Sequence, residues 1–202
     1  MKVKVICTFP EYSGIFLNTR SKNILLNRDP SNPLRPKYPK KYGHHVTLQF
    51  TPGQAINMRF ASKVDLAVVK HIYDSVCQLI VVEPVSVTYR SLDSDAVTIT
   101  DPDEIVESLG GVDNVPSTPM YITISTVYDN NGEKINHEYS EELLQRYSAG
   151  DPDVVCEEFD EPLTLYGFCA MRCEAIVERG AIRKIERDLN RRSGPRDTRL
   201  RE

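Results

Sequence analysis

The sequence predicts an α+β fold built mostly from antiparallel strands. Short segments in which apolar and polar residues alternate recur along the chain, and this period of two is typical of strands. Helical patterns stand between some of these segments, but no strict repetition of strand, helix and strand is visible. Of the 202 residues, 40% are hydrophobic and 27% charged, so we expect one main domain with one ordinary core.

The first part of the chain is predicted to form a strand, a helix and a loop. The strand covers residues 3–8, and a helix over 20–26 begins after Thr19 as its cap. Residues 29–41 carry four prolines within ten positions, which exclude regular structure and predict a loop. This loop brings four basic residues next to the strand of His45, namely Arg35, Lys37, Lys40 and Lys41.

The middle of the chain mixes helical and strand patterns. Residues 65–76 have helical character, whereas 79–82 and 85–89 favour strand because they are rich in β-branched residues. Residues 96–100 are predicted to return as the partner strand. A short helix is predicted over 103–109, where two glycines end it.

The last part is predicted to hold two strands and two helices. A strand covers 120–126, and a helix begins at Ser140 as its cap. An acidic, proline-containing loop over 150–162 leads to a final strand at 163–171. A helix over 178–191 follows it.

The net charge of -4 hides an asymmetry along the chain. Residues 179–202 hold nine basic and four acidic residues, a local charge of +5, so the preceding part carries about -9. We therefore divide the chain into a main domain over 1–177 and a basic helix and tail over 178–202. This tail is either a solvated helix with a frayed end or a surface for an RNA backbone or an acidic partner.

Cysteine usage and hydropathy exclude several classes of protein. The five cysteines are an odd number without C-x-x-C spacing, which argues against a disulfide framework and against a structural zinc site. No run approaches the roughly 20 apolar residues that a membrane helix needs, and the first six residues alternate like a strand rather than forming a signal peptide. We therefore expect a soluble, cytoplasmic protein that requires no metal or other cofactor.

The clearest functional pattern lies in the strand predicted over residues 43–50. Its alternation places His45 and Thr47 on one face, while His44 points to the opposite face. An imidazole that moves a proton near neutral pH, beside a hydroxyl that holds a phosphoryl oxygen, suits phosphodiester chemistry. One such strand supplies half of a site.

The other half is predicted in the strand over residues 119–125. Thr123 matches Thr47, Ser125 shares its face by period two, and Tyr121 stands where a second histidine would be expected. A phenol with a pKa of about 10 is a poor base at neutral pH, although it donates a hydrogen bond or a proton to an alkoxide. Tyr121 can therefore replace a general acid more readily than a general base.

These strands resemble the two-histidine phosphoesterase superfamily, which includes the cyclic phosphodiesterase domains of RNA-repair ligases and related viral proteins. The resemblance rests on the two H-x-T/S-like strands and on the residues of the first motif, Tyr42-Gly43-His44-His45-Val46-Thr47-Leu48. Residues 12–17, the helix that holds Leu25 and Leu26, and residues 93–97 are also similar. The likeness spans residues 1–167.

The resemblance implies a two-lobed, pseudo-symmetric fold with mostly antiparallel sheets and flanking helices around a central cleft. In such a cleft the two motifs face each other. His45 would be a general acid or base, Thr47 would hold a phosphoryl oxygen, and Thr123 would supply the second hydroxyl. Tyr121 occupies the position of the other histidine.

Four further residues are candidates for substrate binding. Lys41 and Tyr42 lie beside the first motif, where a cation attracts phosphate and an aromatic ring stacks on a base. Ser125 adds a hydroxyl to the second motif. His137 follows that motif in a loop that can fold back over the cleft.

Three functions from different classes fit these residues. The first is a metal-independent phosphodiesterase that opens a cyclic phosphate, at an RNA 2′,3′-cyclic end or in a cyclic nucleotide. The second is a binding module that retains a nucleotide or an RNA end in the same cleft without turnover, with Tyr121 stacking or hydrogen-bonding there. The third is an interaction protein in which the basic tail is the working surface.

Overall fold

The structure is a computed structural model that describes residues 7–49, 58–59, 61–91, 95–111, 115–116, 118–127 and 138–175. Its three helices within these ranges are α1 (Thr19–Leu26), α2 (Pro102–Ser108) and α3 (Glu138–Ser148). Its strands are β1 (Cys7–Leu17), β2 (Lys40–Lys41), β3 (His45–Gln49), β4 (Lys63–Tyr73), β5 (Cys77–Arg90), β6 (Ala96–Ile99), β7 (Tyr121–Thr126) and β8 (Val155–Ala175). The expected mixture of helices with mostly antiparallel strands is confirmed.

The strands form one curled sheet in the order β2-β7-β5-β4-β8-β1-β3, with β6 paired to β5. The curl is set where the chain passes from β2 at one edge to β3 at the other. The Tyr42 and Gly43 N–H groups donate to the Ile124 and Thr123 carbonyls of β7, each at 2.8 Å, and the Leu17 N–H of β1 donates to the His44 carbonyl at 2.9 Å. Gly43 has a φ of 63°, a left-handed conformation that glycine adopts at low cost, and the chain changes partner strand there.

One face of the sheet packs on the larger hydrophobic core, which we call the main core. Alternate residues of β3 and β7 enter it, and α1 and α2 contribute one apolar side each. The packing is close, because the largest side chains of this core have no solvent exposure. Members of the main core include Ile15, Leu25, Val46, Leu48, Val64, Leu66, Ile80, Ile105, Ile122, Ile124, Leu165 and Cys169.

The opposite face of the sheet carries a smaller core beneath α3, which we call the second core. Leu143 and Leu144 of α3 pack there against Ile72, Cys77 and Leu79. β4 serves both cores because its register shifts between residues 68 and 70, and such a bulge moves later side chains to the other face. One strand therefore supports packing on both sides of the sheet.

A buried carboxylate anchors α3 to the sheet. Asp74 accepts hydrogen bonds from the Val76 and Cys77 N–H groups, from the Tyr139 hydroxyl and from Arg146, the last at 2.7 Å. Burial acts to raise the pKa of Asp74, but these donors together lower it below its ordinary value, so the carboxylate stays charged. The contact fixes both ends of α3 relative to the turn between β4 and β5.

Three predictions of secondary structure were wrong in part or in whole. Lys40–Lys41, in the loop predicted over 29–41, form the short strand β2. Residues 65–76 do not form a helix, because Lys63–Tyr73 is a strand held between β5 and β8 by antiparallel pairing. Residues 150–162 are not entirely loop, because β8 begins at Val155. Its proline, Pro162, lies between Glu158 and Leu163, where the pairing with β4 is interrupted, so no ladder hydrogen bond is lost.

Two helix caps also differ from the prediction. Asn18 rather than Thr19 caps α1, because its side chain accepts a hydrogen bond from the Ser21 N–H at 2.9 Å. Ser140 lies inside α3 rather than at its start. The predicted strand at residues 3–6 and the predicted helix over 178–191 lie outside the described residues, as does the basic tail.

The left-handed backbone at Gly43 leads to a prediction about stability. Gly43→Ala places a Cβ 3.0 Å from Leu26 Cδ2 and keeps a left-handed backbone, which costs a non-glycine residue about 1–2 kcal/mol. Gly150→Ala is the matched control, because Gly150 has a φ of 74° but nothing within 4 Å of a Cβ. We expect Gly43→Ala to lower the free energy of unfolding more than the control does, measured by denaturant titration. Equal losses would show that the contact with Leu26 relaxes freely.

Candidate functional site

His45 and Thr47 lie side by side on the sheet face opposite the main core. Val46 and Leu48 are buried in the main core, so the alternation of β3 directs His45 and Thr47 the other way. Both side chains are half-buried. The first motif therefore has the geometry that its sequence predicts.

The imidazole of His45 is part of a cluster of aromatic rings. Its ring centroid lies 4.9 Å from that of Tyr12 and 5.2 Å from that of Phe16, with nearly parallel planes. Phe16 pairs with His45 on one side and with Phe168 of β8 on the other, so the three rings stand on neighbouring strands at one level. Phe168 and Tyr166 are each 39% exposed, which is unusual for such large apolar side chains.

We call this surface the aromatic face, and it consists of Tyr12, Phe16, His45, Tyr166 and Phe168. Tyr166 and Phe168 belong to it because Leu165 and Cys169 of the same strand enter the main core. Partly exposed rings on adjacent strands leave flat apolar surface facing solvent. Such a surface accepts another flat ring.

Positive charge surrounds the aromatic face. The Arg172 guanidinium lies 6.0 Å from the centroid of the Tyr12 ring, and Arg172 stands opposite Tyr12 in the pairing of β1 with β8. Burial above all, together with His44, Arg172 and Lys22, which repel a protonated ring, lowers the pKa of His45 to about 4. His45 is therefore neutral at pH 7. The same cations favour an anion placed beside it.

The second motif lies on the same side of the sheet but beneath α3. The Thr123 hydroxyl is hydrogen-bonded to the Ser140 hydroxyl of α3 at 2.8 Å, and Tyr121 packs against the second core. Burial raises the pKa of Tyr121, and the Glu141 carboxylate, which is hydrogen-bonded to the phenol, raises it further. The phenol therefore keeps its proton and is engaged with α3.

The structure brings the backbones of the two motifs together and gives their side chains different neighbours. Gly43, two residues before His45, is hydrogen-bonded to Thr123. The imidazole of His45, however, contacts rings of β1, whereas Tyr121 and Thr123 contact α3. The two motifs are neighbours where the chain passes from β2 to β3.

The remaining candidates occupy the link between the sheet edges. Lys41 pairs with Ser125, and the Tyr42 N–H donates to β7. Ser125 does not share the face of Thr123, because the register between β5 and β7 shifts and its hydroxyl donates to Gln78 at 2.6 Å. His137 lies outside the described residues. His44 precedes β3 and is exposed, so it does not enter the main core as Val46 does.

Sequence reasoning missed most of the aromatic face. Its members Phe16, Tyr166 and Phe168, and the neighbouring Arg172, are distant in the chain. The pairing of β1 with β3 and with β8 places them beside His45. Aromatic residues two apart, at 166 and 168, were a usable signal, since strand alternation puts them on one face. That signal does not show that β8 pairs with β1.

A buried polar cluster was also missed. His71 has no solvent exposure, and its ring nitrogens contact Glu157 at 2.9 Å and the Gln78 side chain at 2.9 Å. Burial lowers the pKa of His71 against the opposing effect of Glu157. Both of its ring nitrogens have a partner, which indicates a structural role.

Comparisons with known proteins add no identity to this geometry. Neither a protein-family model nor a curated protein matches the chain. Over the described ranges, no three His, Cys, Asp or Glu side chains are grouped so that they would hold a metal ion. None of the helices in those ranges has the length and apolar character needed to cross a membrane.

The environment of His45 predicts a pH dependence of stability. An unfolded histidine has a pKa of about 6.5, and the folded pKa of His45 is about 4, so the unfolded chain takes up the proton first as pH falls. The stability contributed by neutral His45 is therefore present above pH 6.5 and lost between 6.5 and 4. We expect the free energy of unfolding to fall less between pH 7 and pH 5 for His45→Phe than for the unchanged protein.

Denaturant unfolding at the two pH values measures this difference. Val155→Ala is the control, because Val155 is 43% exposed and its replacement changes no titratable group. The same loss of stability in the unchanged protein and in His45→Phe would contradict a depressed pKa at His45.

Proposed function

We propose that the protein binds a nucleotide or a single-stranded RNA end on the aromatic face. The observation that carries this proposal is the row of rings from His45 through Phe16 to Phe168 on three adjacent strands. Bases stack on such rings with little dependence on sequence, at about 1–3 kcal/mol per base. Phe168 and Tyr166 offer the exposed surface that stacking requires.

The charges around the rings suit the phosphate of the same ligand. Arg172 and Lys22 both act on the charge of His45, so both lie within electrostatic range of its ring. A guanidinium matches two phosphate oxygens at once, and it also stacks on a base. The rings therefore fit the base of a nucleotide and the cations fit its phosphate. We place this binding in the cytoplasm.

Binding is favoured over turnover by the surroundings of the second motif. Opening a cyclic phosphate requires one group to deprotonate water and another to protonate the leaving oxygen. The Tyr121 phenol has a raised pKa and a carboxylate partner, and the Thr123 hydroxyl is engaged with Ser140. These groups serve the packing of α3, which leaves His45 and Thr47 to act on the ligand.

The second candidate function is a metal-independent phosphodiesterase that opens a cyclic phosphate. It is favoured by the neutral imidazole of His45, which has one unprotonated ring nitrogen at pH 7, and by Thr47 on the same face. In this reading His45 deprotonates water and Thr47 holds a phosphoryl oxygen. The two-lobed, pseudo-symmetric arrangement around a cleft, with Tyr121 as the acid, belongs to this candidate.

Binding on the aromatic face is tested by removing an exposed ring. Phe168→Ala is expected to weaken binding of fluorescent ten-residue oligouridine about fivefold to a hundredfold, since one stacked base contributes about 1–3 kcal/mol. Val155→Ala is the control, because Val155 is 43% exposed on the same strand but thirteen residues away. Fluorescence anisotropy measures both affinities. An unchanged affinity for Phe168→Ala, with the fold intact by circular dichroism, would remove the aromatic face as the site.

The second candidate is tested with 2′,3′-cyclic AMP as the substrate. If His45 is the base, His45→Ala should lower product formation by about 10²-fold or more, because a positioned proton transfer contributes about 10²–10⁴ in rate. His44→Ala should lower the rate far less, since His44 is exposed and precedes the first residue of β3. Chromatography of the opened monophosphate measures the rate. Turnover that survives in His45→Ala, or no turnover in the unchanged protein, would reject this candidate.

A further inference from the structure

The loop between α1 and β2 encloses a basic cavity. This cavity has a volume of about 520 Å³ and is lined by Arg28, Arg35, Pro36, Lys37, Tyr38 and Pro39. We propose that it is a second ligand site, which holds the phosphate groups of a polyanion such as a nucleoside polyphosphate or an RNA chain. This site is separate from the aromatic face and does not depend on what binds there.

The two arginines of this cavity, Arg28 and Arg35, form no ion pair with the residues that the structure describes. Lys70 and Arg146, in contrast, do form ion pairs with carboxylates there. Like charges around one cavity repel each other, and an anion between them removes that cost. Arginine is suited to this role because its planar fork donates two parallel hydrogen bonds to phosphate oxygens.

Lys37 adds a third cation in a fixed place. Its Nζ lies 3.8 Å from the centroid of the Tyr73 ring, and its charge helps to lower the pKa of Glu157. The Lys37 side chain is therefore held at the side of the cavity by a ring and a nearby carboxylate. It contributes positive field more than a direct contact.

The loop around the cavity is fixed before any ligand arrives. The Gln78 side chain donates to the Arg35 carbonyl at 3.1 Å and accepts from the Lys37 N–H at 2.9 Å. Leu34 is fully buried in the main core. Pro33 and Pro36, which flank Leu34 and Arg35, restrict the backbone of the loop further. A site whose charges are already in position loses little conformational entropy when a ligand binds.

The cavity and the aromatic face lie on different sides of the sheet. Gln78 and Ser125 hold the loop. Gln78 is directed away from the second core because Cys77 and Leu79 on either side of it enter that core, and Ser125 because of the register shift between β5 and β7. His45 and Phe168 face the side opposite the main core, whereas Leu34 of the loop enters it. A ligand in the cavity therefore does not compete with one on the aromatic face.

The experiment removes the two arginines and measures two probes. Arg28→Ala/Arg35→Ala is compared with Arg20→Ala/Arg90→Ala, which removes the same charge from two exposed positions elsewhere. Binding of inorganic pyrophosphate is measured by calorimetry, and binding of unphosphorylated ten-residue oligouridine is measured by anisotropy against salt concentration. We expect the cavity variant to lose at least tenfold in affinity for one probe and the control to change less than twofold.

The two probes distinguish the source of the phosphate. Loss for pyrophosphate alone identifies a site for nucleoside polyphosphates. Loss for oligouridine, with a salt slope shallower by about 1.4 if two phosphate contacts disappear, identifies an RNA chain. The proposal is overturned if the unchanged protein binds neither probe, or if cavity and control variants lose affinity equally. Phe168→Ala should leave pyrophosphate binding unchanged, so failure at the aromatic face and failure at the cavity are separable.

Discussion

The backbone hydrogen bonds of three consecutive residues hold the two edges of the sheet together. Tyr42 and Gly43 donate to β7, and the His44 carbonyl accepts from β1. Because these bonds belong to opposite edges, the sheet has to curl until the edges meet, and the main core fills the space on one side. The same closure places His45 beside Phe16. A glycine at position 43 suits the step, since a side chain there would meet Leu26 while the backbone is left-handed.

The side chains of the second motif depend on how firmly α3 is held. Asp74 is 7% exposed, and Arg146, Tyr139 and two N–H groups satisfy its oxygens. Removing one of these donors destabilises the fold, because the buried Asp74 charge then loses part of its compensation. α3 therefore stays over Thr123 rather than lifting readily from it. Tyr121 is therefore covered by α3, whereas a catalytic histidine at its position would have to be open to the substrate.

Local pattern predicted the strands of the two motifs but not the surfaces that they form. The alternation around His45 and Thr47 places both on one face, as the structure has them. The same rule failed at Ser125, because a register shift against β5 depends on a distant strand and leaves no mark in the local sequence. The helix predicted over residues 65–76 is wrong for a related reason. A strand that is buried on both faces does not alternate between apolar and polar residues. The aromatic face required pairing between β1 and β8, whose sequences carry no signal for each other.

The low pKa of His45 connects its charge to whatever binds beside it. Arg172 and Lys22 repel a protonated imidazole, and burial removes water that would stabilise the charge. A phosphate that binds near these cations neutralises their field and brings a negative charge, so it must raise the pKa of His45. By linkage, protonation of His45 then strengthens phosphate binding by the same factor. In a binding protein this coupling gives tighter binding at lower pH. In a phosphodiesterase it moves the pKa of the imidazole toward neutrality only when the substrate is present, where a general base is most effective.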